Sequence, residues 1–483
     1  MPGLWQQTNS ESRSMKIAML GWEYPPHISG GLGTACEGLS IALSRHQVKL
    51  TFVVPHLYGD ERAHHMRLVN AQGDSGNISG QTGSPRKIRK GDFEKLSIPS
   101  FLMPYHNAQS YRAWVKMVQQ QRAKRALIGA SEGGHEVLLP SHITSQFDNI
   151  PHSNDLDTEM DECSVQPFDR YCGDIFAEVA RYATSVVEAL KEEEFDVIHA
   201  HDWLTFPAGV ALAQVTGKPF IAHVHSLEYD RSGEAINHQI NEIEKWGLEA
   251  ASSVVAVSYY TRSLINQRLG IPLDKISVIH NGVYSPQAIQ SYRKSQNVRS
   301  RIVLFLGRIT FQKGPDYFVE AAGRVIPHVP DVMFVMAGAG DMLPQLQNRI
   351  RALGIEKNFY FPGFLKGQEV EQMFSLADVY VMPSVSEPFG ISALEAISYD
   401  TPVIISRQSG VSEVLSHALK VDFWDIDRLS DLIINALVHE ELRSDMVSMA
   451  REEVKRLHWD AAAQKTIDLY RQVVGRGAAA LGD

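Results

Sequence analysis

The stretch Glu387-Pro388-Phe389-Gly390-Ile391-Ser392-Ala393-Leu394-Glu395 sets two carboxylates on either side of a glycine. The apolar run Val379–Met382 before it reads as a strand. Ile391, Leu394, Ala396 and Ile397 repeat at helical spacing and stop before Thr401-Pro402. A helix opening near Gly390 aims unsatisfied N–H groups and a partial positive charge into the loop, which favours an anion there. With no Cβ, Gly390 leaves room for a ligand to approach the backbone. Amides that hold phosphate, beside carboxylates that accept from hydroxyls, suit a ligand with both groups, such as a nucleotide sugar. A surface acid at a strand end followed by an ordinary helical glutamate is the plainer alternative.

A second constellation, Gly307-Arg308-Ile309-Thr310-Phe311-Gln312-Lys313, follows the strand Ile302–Leu306. It brings a fork-shaped cation and a flexible one close together. They repel unless an anion lies between them, and a diphosphate fills that role; a solvated loop is the alternative. In the first half, three apolar runs end in histidine: His199-Ala200-His201-Asp202-Trp203, His225 after Pro219–Val224, and His280 after Ile276–Ile279. In a parallel sheet such ends line one crevice. His225 stands out because its loop also carries Glu228, Tyr229 and Asp230. Asp202 either serves an acceptor or caps a helix starting near Trp203. The histidines are dispersed over strand ends and no helix pairs two of them at i,i+4 with an acid, so no metal site is expected.

Positioning these residues takes two arrays of alternating strands and helices. Lys16–Leu20, the loop Gly30-Gly31-Leu32-Gly33, an apolar helical face (Cys36, Leu39, Ile41, Leu43) and the run Val48–Val54 form one βαβ unit. Its glycine-rich loop, with Gly31 and Gly33, is not G-x-G-x-x-G but sits where such loops hold ligands. A helix over Asp174–Lys191 and strands at 197–200, 219–224, 253–257 and 276–279 complete the first array. The polar, aperiodic segment Pro286–Ser300 reads as a linker. Beyond it, strands at 302–306, 332–337, 358–361, 379–382 and 403–406 alternate with helices, and Val332–Ala337 ends in Gly338-Ala339-Gly340-Asp341. The fold class is α/β, two doubly wound parallel domains. Residues 57–166 read as an insertion, with short strands at Leu96–Leu102 and Glu136–Leu139. Its basic run Arg86-Lys87-Ile88-Arg89-Lys90 is a solvated loop or a contact for a membrane or acidic polymer.

At 483 residues the chain needs two or three domains, and 44% hydrophobic with 21% charged residues is a globular composition. A net charge of −10 argues against a nucleic-acid partner. Three cysteines build no disulfide framework, residues 1–14 lack a signal-peptide core, and no apolar run reaches membrane-spanning length, so a cytoplasmic location is expected.

Taken together, the two Rossmann-like halves, the Arg-x4-Lys loop and the Glu-x7-Glu motif resemble the retaining GT-B glycosyltransferases, in the family 4 and family 5 group that includes glycogen and starch synthases. Lys16–Leu43, His199–Trp203 and Ala222–Leu227 are similar to that family's opening unit and its acceptor-side and active-site loops. The resemblance implies domains at 15–290 and 291–458 facing across a cleft, and a helix at 459–483 crossing back to the first domain. It implies a nucleoside-diphosphate sugar donor (ADP-glucose or UDP-glucose), an α-glucan acceptor and no further cofactor. His225, Glu387, Arg308 and Lys313 take catalytic roles on this resemblance. Gly31, Gly33, Gly338, Phe389, Gly390, Ile391 and Glu395 hold the donor, and Asp202 and Trp203 lie on the acceptor side. One departure stands out: the family's Lys-x-Gly-Gly-Leu cation is replaced by Ile28. A lipid or small-molecule acceptor and a non-catalytic nucleotide-sugar sensor are the competing expectations.

Overall fold

A computed structural model describes residues 14–26, 30–58, 61, 63–70, 175–284 and 301–480. The first lobe runs β1 (Lys16–Leu20), α1 (Gly31–Arg45), β2 (Lys49–Val54), β3 (Arg67–Asn70), α2 (Ile175–Leu190), β4 (Val197–His201) and α3 (Phe206–Thr216). It continues through β5 (Phe220–Val224), the single turn α4 (Glu228–Ser232), α5 (His238–Ala250), β6 (Ser253–Ala256), α6 (Tyr259–Leu269) and β7 (Ile276–Val278). The second lobe runs β8 (Arg301–Leu306), α7 (Pro315–Val325), β9 (Val332–Ala337), α8 (Leu343–Leu353), β10 (Phe359–Gly363) and α9 (Gln368–Leu376). After these come β11 (Val379–Met382), α10 (Ile391–Ser398), β12 (Val403–Ser406), β13 (Leu419–Val421), α11 (Ile426–Val438), α12 (Glu440–Val454) and α13 (Trp459–Ala480).

Every strand pair is parallel, in the orders β3-β2-β1-β4-β5-β6-β7 and β10-β9-β8-β11-β12-β13. Helices cover both faces, which is why strands such as β4, β5 and β11 are apolar-rich and buried along their whole length. In each sheet the order reverses once, between β1 and β4 and between β8 and β11. Loops leaving the strands on either side of such a reversal diverge and open a crevice at the carboxyl ends. Both candidate loops of the second lobe, 307–314 and 383–390, leave the strands at that reversal.

The terminal helix α13 returns to the first lobe. Its Trp459, Ala463, Ile467 and Tyr470 share a core with Ala35, Leu39 and Leu43 of α1. Gly38 makes room for this docking, since a Cβ there would collide with the Trp459 ring. Ile391, at the start of α10, packs against apolar cores of both lobes.

Three boundaries differ from the sequence reading. The edge strand β3 falls inside the expected 57–166 insertion and pairs with β2; four residues are too few for periodicity to reveal a strand. β13 is shorter still. The helix expected near Trp203 begins at Phe206. The expected strands at Leu96–Leu102 and Glu136–Leu139, the basic run at 86–90 and Ile28 lie outside the described residues. Among the described residues, no helix is long and apolar enough to cross a membrane.

Candidate active site

Because β8 and β11 are neighbours, the loops that follow them lie side by side. The Gln312 carbonyl accepts from the N–H groups of Val385 (2.9 Å) and Ser386 (3.5 Å), stitching one loop to the other. Lys313 Nζ donates to Glu387 Oε2 at 2.6 Å, and the same oxygen accepts from Ser384 Oγ at 3.2 Å. Glu387 is only 7% exposed, and a carboxylate so desolvated needs a partner of this kind. Arg308 is exposed and donates to Gln312 Oε1 at 3.0 Å. The expectation that a diphosphate must supply the anion beside these cations is corrected here: for Lys313 the chain provides it.

α10 opens at Gly390 with φ 109°, a left-handed conformation that disfavours a side chain. A Cβ would also lie 3.0 to 3.2 Å from Met382 and Val411. The glycine is therefore required by the turn and by the packing behind it, a different reason from ligand access. Among the described residues, the N–H groups of Gly390, Ile391 and Ser392 have no acceptor. Phe389 is buried, its ring centroid 5.8 Å from that of His280. The side chains of Phe389 and Ile391 thus anchor the loop, and its backbone is what a ligand can meet. Gly338, at φ 142°, packs against the Gly307 carbonyl and joins the β8 and β9 loops. Glu395 lies in the second turn of α10, half-buried, with no hydrogen-bond partner among the described residues. Burial pushes its carboxyl up to about 7.

In the first lobe, strand alternation puts His199 and His201 of β4 and His223 of β5, with His225 just beyond it, on one face, and the register sets His201 opposite His223. The rings stack at interplanar angles of 8 to 33°. His199 meets Tyr470 Oη of α13 (2.6 Å) and His223 Nδ1 (3.1 Å); His201 Nδ1 meets His225 Nε2 (2.9 Å). Of the histidines read as dispersed, all but His280 thus form one cluster, with ligand atoms of His199, His201 and His223 within 4.8 Å of one another. Four of its ring nitrogens bond ring to ring, and among the described residues His201 Nε2 and His223 Nε2 are buried without a hydrogen-bond partner. Burial lowers His199 and His225 to about 3 and holds His201 and His223 well below the usual range, so all four are neutral at neutral pH.

Asp202, at φ 61°, accepts from the N–H groups of His225 (2.6 Å) and Ser226 (3.3 Å). It ties the end of β4 to the end of β5 and caps no helix. Burial raises its carboxyl to about 7 despite those donors. Trp203 is a core residue, 7% exposed and packed beside Phe176, which corrects its placement on the acceptor side. Of the glycine loop, no atom of the described residues lies within 4 Å of where a Cβ on Gly31 would sit, and the Gly33 N–H donates to Glu23 Oε1 at 3.2 Å.

The lobes meet over the Glu387 loop. Ser386 Oγ donates to Asp230 Oδ1 at 2.5 Å, and Tyr260 Oη lies 2.9 Å from Ser386 Oγ. Ser258 and Thr261 donate to the Pro388 carbonyl at 2.6 and 3.2 Å. Glu413 accepts from the Tyr259 and Tyr260 N–H groups and pairs with His280 at 2.7 Å. Sequence reasoning missed these cross-lobe partners, and no motif marks them. The His-x-His alternation on both strands was a usable signal for the stack. A separate hollow lies at the amino ends of β1 and β2, and no candidate residue lines it.

Three family models match in series: the starch synthase catalytic domain over residues 16–125, glycosyltransferase family 4 over 150–285, and glycosyl transferases group 1 over 288–453. An uncharacterized glycosyltransferase of Methanocaldococcus jannaschii, MJ1607, is 26% identical over 96% of this chain and 100% of its own length. A D-inositol 3-phosphate glycosyltransferase of Paenarthrobacter aurescens is 30% identical, covering 58% of this chain and 73% of the relative. A Mycobacterium tuberculosis glycogen synthase is 30% identical over 46% of this chain and 54% of the relative. Among solved structures, sucrose-phosphate synthase from Thermosynechococcus elongatus superposes with TM-score 0.65 at 17% identity, over 96% of this chain and 100% of that one. Anabaena HepE, in complex with UDP and glucose, gives 0.61 at 16% identity, over 95% and 100%.

Proposed function

The chain belongs to the GT-B glycosyltransferases of the family 4 and family 5 group, and from that premise we propose that it transfers glucose, with retention of anomeric configuration, from a nucleoside-diphosphate donor to a hydroxyl of an α-glucan. The observation that carries the reading is the convergence at the β8/β11 crevice. There Lys313, on the same loop as Arg308, pairs with Glu387, and the N–H groups at the start of α10, which have no acceptor among the described residues, follow directly on the Glu387 loop.

On this reading the donor diphosphate lies against Arg308, Lys313 and the start of α10. Lys313 is held ready by its pairing with Glu387. A phosphate that takes over the ammonium frees the Glu387 carboxylate to accept from hydroxyls of the transferred sugar and to oppose positive charge on an oxocarbenium-like centre. Donors aimed at charge developing on the leaving diphosphate are worth about 2.7–4 kcal/mol each. Glu395, whose carboxyl has no donor among the described residues, accepts from the ribose hydroxyls. His225, a neutral imidazole, meets the sugar from the first lobe, so the lobes close before reaction. Nothing in this scheme asks for a metal or a further cofactor.

The names of the relatives span a glucan polymer and phosphate-bearing sugars, so product analysis is decisive. Full-length protein is incubated with ADP-glucose or UDP-glucose, with and without maltotriose. Release of nucleoside diphosphate that depends on maltotriose, with an α-linked product by NMR, is expected. A β-linked product would overturn the retaining assignment, and lack of acceptor-dependent release with either donor would overturn the glucan reading.

A further inference from the structure

The residues on either side of Glu387 are fastened by side chains of the opposite lobe. Before it, Ser386 Oγ donates to Asp230 Oδ1 at 2.5 Å and lies 2.9 Å from Tyr260 Oη. A serine hydroxyl has one proton and Asp230 takes it, so the Tyr260 hydroxyl is the donor in the second contact. The other oxygen of Asp230 accepts from the Leu227 N–H at 2.7 Å, which fixes the carboxylate within its own turn. After Glu387, the Pro388 carbonyl accepts from Ser258 Oγ (2.6 Å) and Thr261 Oγ1 (3.2 Å). Asp230, Ser258, Thr261 and Ser386 are all buried, so these hydrogen bonds act in a low dielectric. Gly410 permits the close approach: a Cβ there would lie 2.2 Å from the Pro388 carbonyl oxygen and 2.5 Å from Ser258 Cβ.

Within the second lobe the grip on Glu387 is of another kind. Its N–H donates to the Gln408 carbonyl and its carbonyl accepts from the Gly410 N–H, each at 2.9 Å. Its carboxylate pairs with Lys313 and Ser384. When a diphosphate takes the ammonium over, the charged one of these two partners is lost. The contacts that residues 386 and 388 make with the first lobe involve no group assigned to the donor, so they persist through that exchange.

We propose that Asp230 and Tyr260, acting through Ser386, and Ser258 and Thr261, acting through Pro388, are positioning residues that aim the Glu387 carboxylate at the transferred sugar. This rests on the reading of Glu387 as the acid beside that sugar. The second lobe holds the nucleoside diphosphate with its own groups, while the acid is aimed only where the first lobe braces its loop.

The test uses the full-length protein and the variants Ser386→Ala, Tyr260→Phe and the two combined. Each single change removes one hydroxyl and adds no bulk. Ser386→Ala is expected to lower kcat about tenfold or more, as misplacement of a group beside the reacting centre does, and Tyr260→Phe to lower it less. Because the tyrosine acts through the serine, adding Tyr260→Phe to Ser386→Ala is expected to change kcat by less than about twofold. Affinity for ADP or UDP, which lack the sugar, is expected to stay within about twofold of the natural protein by calorimetry. As a readout independent of turnover, hydrogen exchange of the amides of residues 385–387, which donate to the Gln312 and Gln408 carbonyls, is expected to quicken in Ser386→Ala. A kcat for Ser386→Ala within about twofold of natural overturns the positioning role, as does a loss of rate that only tracks lost nucleotide affinity. Losses that multiply in the combined variant overturn the chain from Tyr260 through Ser386, and unchanged exchange at 385–387 overturns the brace itself. If the natural protein transfers sugar from neither donor, the transferase reading falls instead, and the exchange measurement still decides whether the first lobe braces the loop.

Discussion

Lys313→Ala should damage this protein in two separable ways. The ammonium lies 2.6 Å from Glu387, with side chains 22% and 9% exposed. Removing one partner of a buried pair costs about 3–5 kcal/mol, because the remaining charge stays desolvated. Partial exposure of Lys313 and the remaining Ser384 contact reduce that to roughly 2 kcal/mol here. Glu387→Gln leaves the more accessible partner alone and should cost about 1 kcal/mol. In the double variant neither charge is stranded, so stability should return to within about 1 kcal/mol of the natural protein, a coupling of roughly 2 kcal/mol. Turnover should not return with it. If the ammonium stabilises the leaving diphosphate, Lys313→Ala lowers kcat by about a hundredfold or more, and adding Glu387→Gln cannot restore a missing cation. The assay is a double-mutant cycle read twice, by urea unfolding and by initial rates of nucleotide release at saturating donor. Recovery of both stability and rate in the double variant would show that Lys313 only neutralises Glu387, and the leaving-group role would be lost. A stability cost below about 0.5 kcal/mol for Lys313→Ala would mean that the pair is not held in solution.

Three further outcomes follow. Glu395 has its carboxyl raised from 4.5 to about 7, so it becomes an effective acceptor for ribose hydroxyls only as pH rises through that value; donor KM should fall between pH 6 and 8, and Glu395→Gln should raise KM and flatten the profile. Because the folded carboxyl holds its proton more tightly than the unfolded one, its stabilising contribution is present below about 4.5 and lost as pH rises through about 7; the urea midpoint of the natural protein should decline over that window relative to Glu395→Gln. Gly38→Ala pushes a methyl into the Trp459 ring and should cost about 1–3 kcal/mol, with earlier proteolytic release of α13 than in the natural protein; an unchanged melting temperature and cleavage pattern would show that α13 is not seated as described.

Much of the architecture was legible without coordinates. Strands β4, β8 and β11 are short apolar runs bounded by Gly, Pro or polar residues, and α2 and α10 carry helical periodicity, because burial selects residues locally by face. The candidate residues could be singled out for the same reason, since Lys313, Glu387 and Glu395 stand in loops or helix starts with no evident packing duty. Partnership was not legible. Lys313 and Glu387 are 74 residues apart and meet because β8 and β11 are adjacent, a fact about strand order that neither segment encodes. The same holds for the histidine stack across β4 and β5, for the clamp from Asp202 to His225, and for Ser386 on Asp230 from the opposite lobe. Gly390 illustrates the division at one position: its residue type announced a special backbone, and only the neighbours Met382 and Val411 disclosed why. Periodicity records which face of an element is buried. Which charges end up within a few ångströms of each other depends on how distant elements are laid beside one another, and that was decided by the assembled sheets.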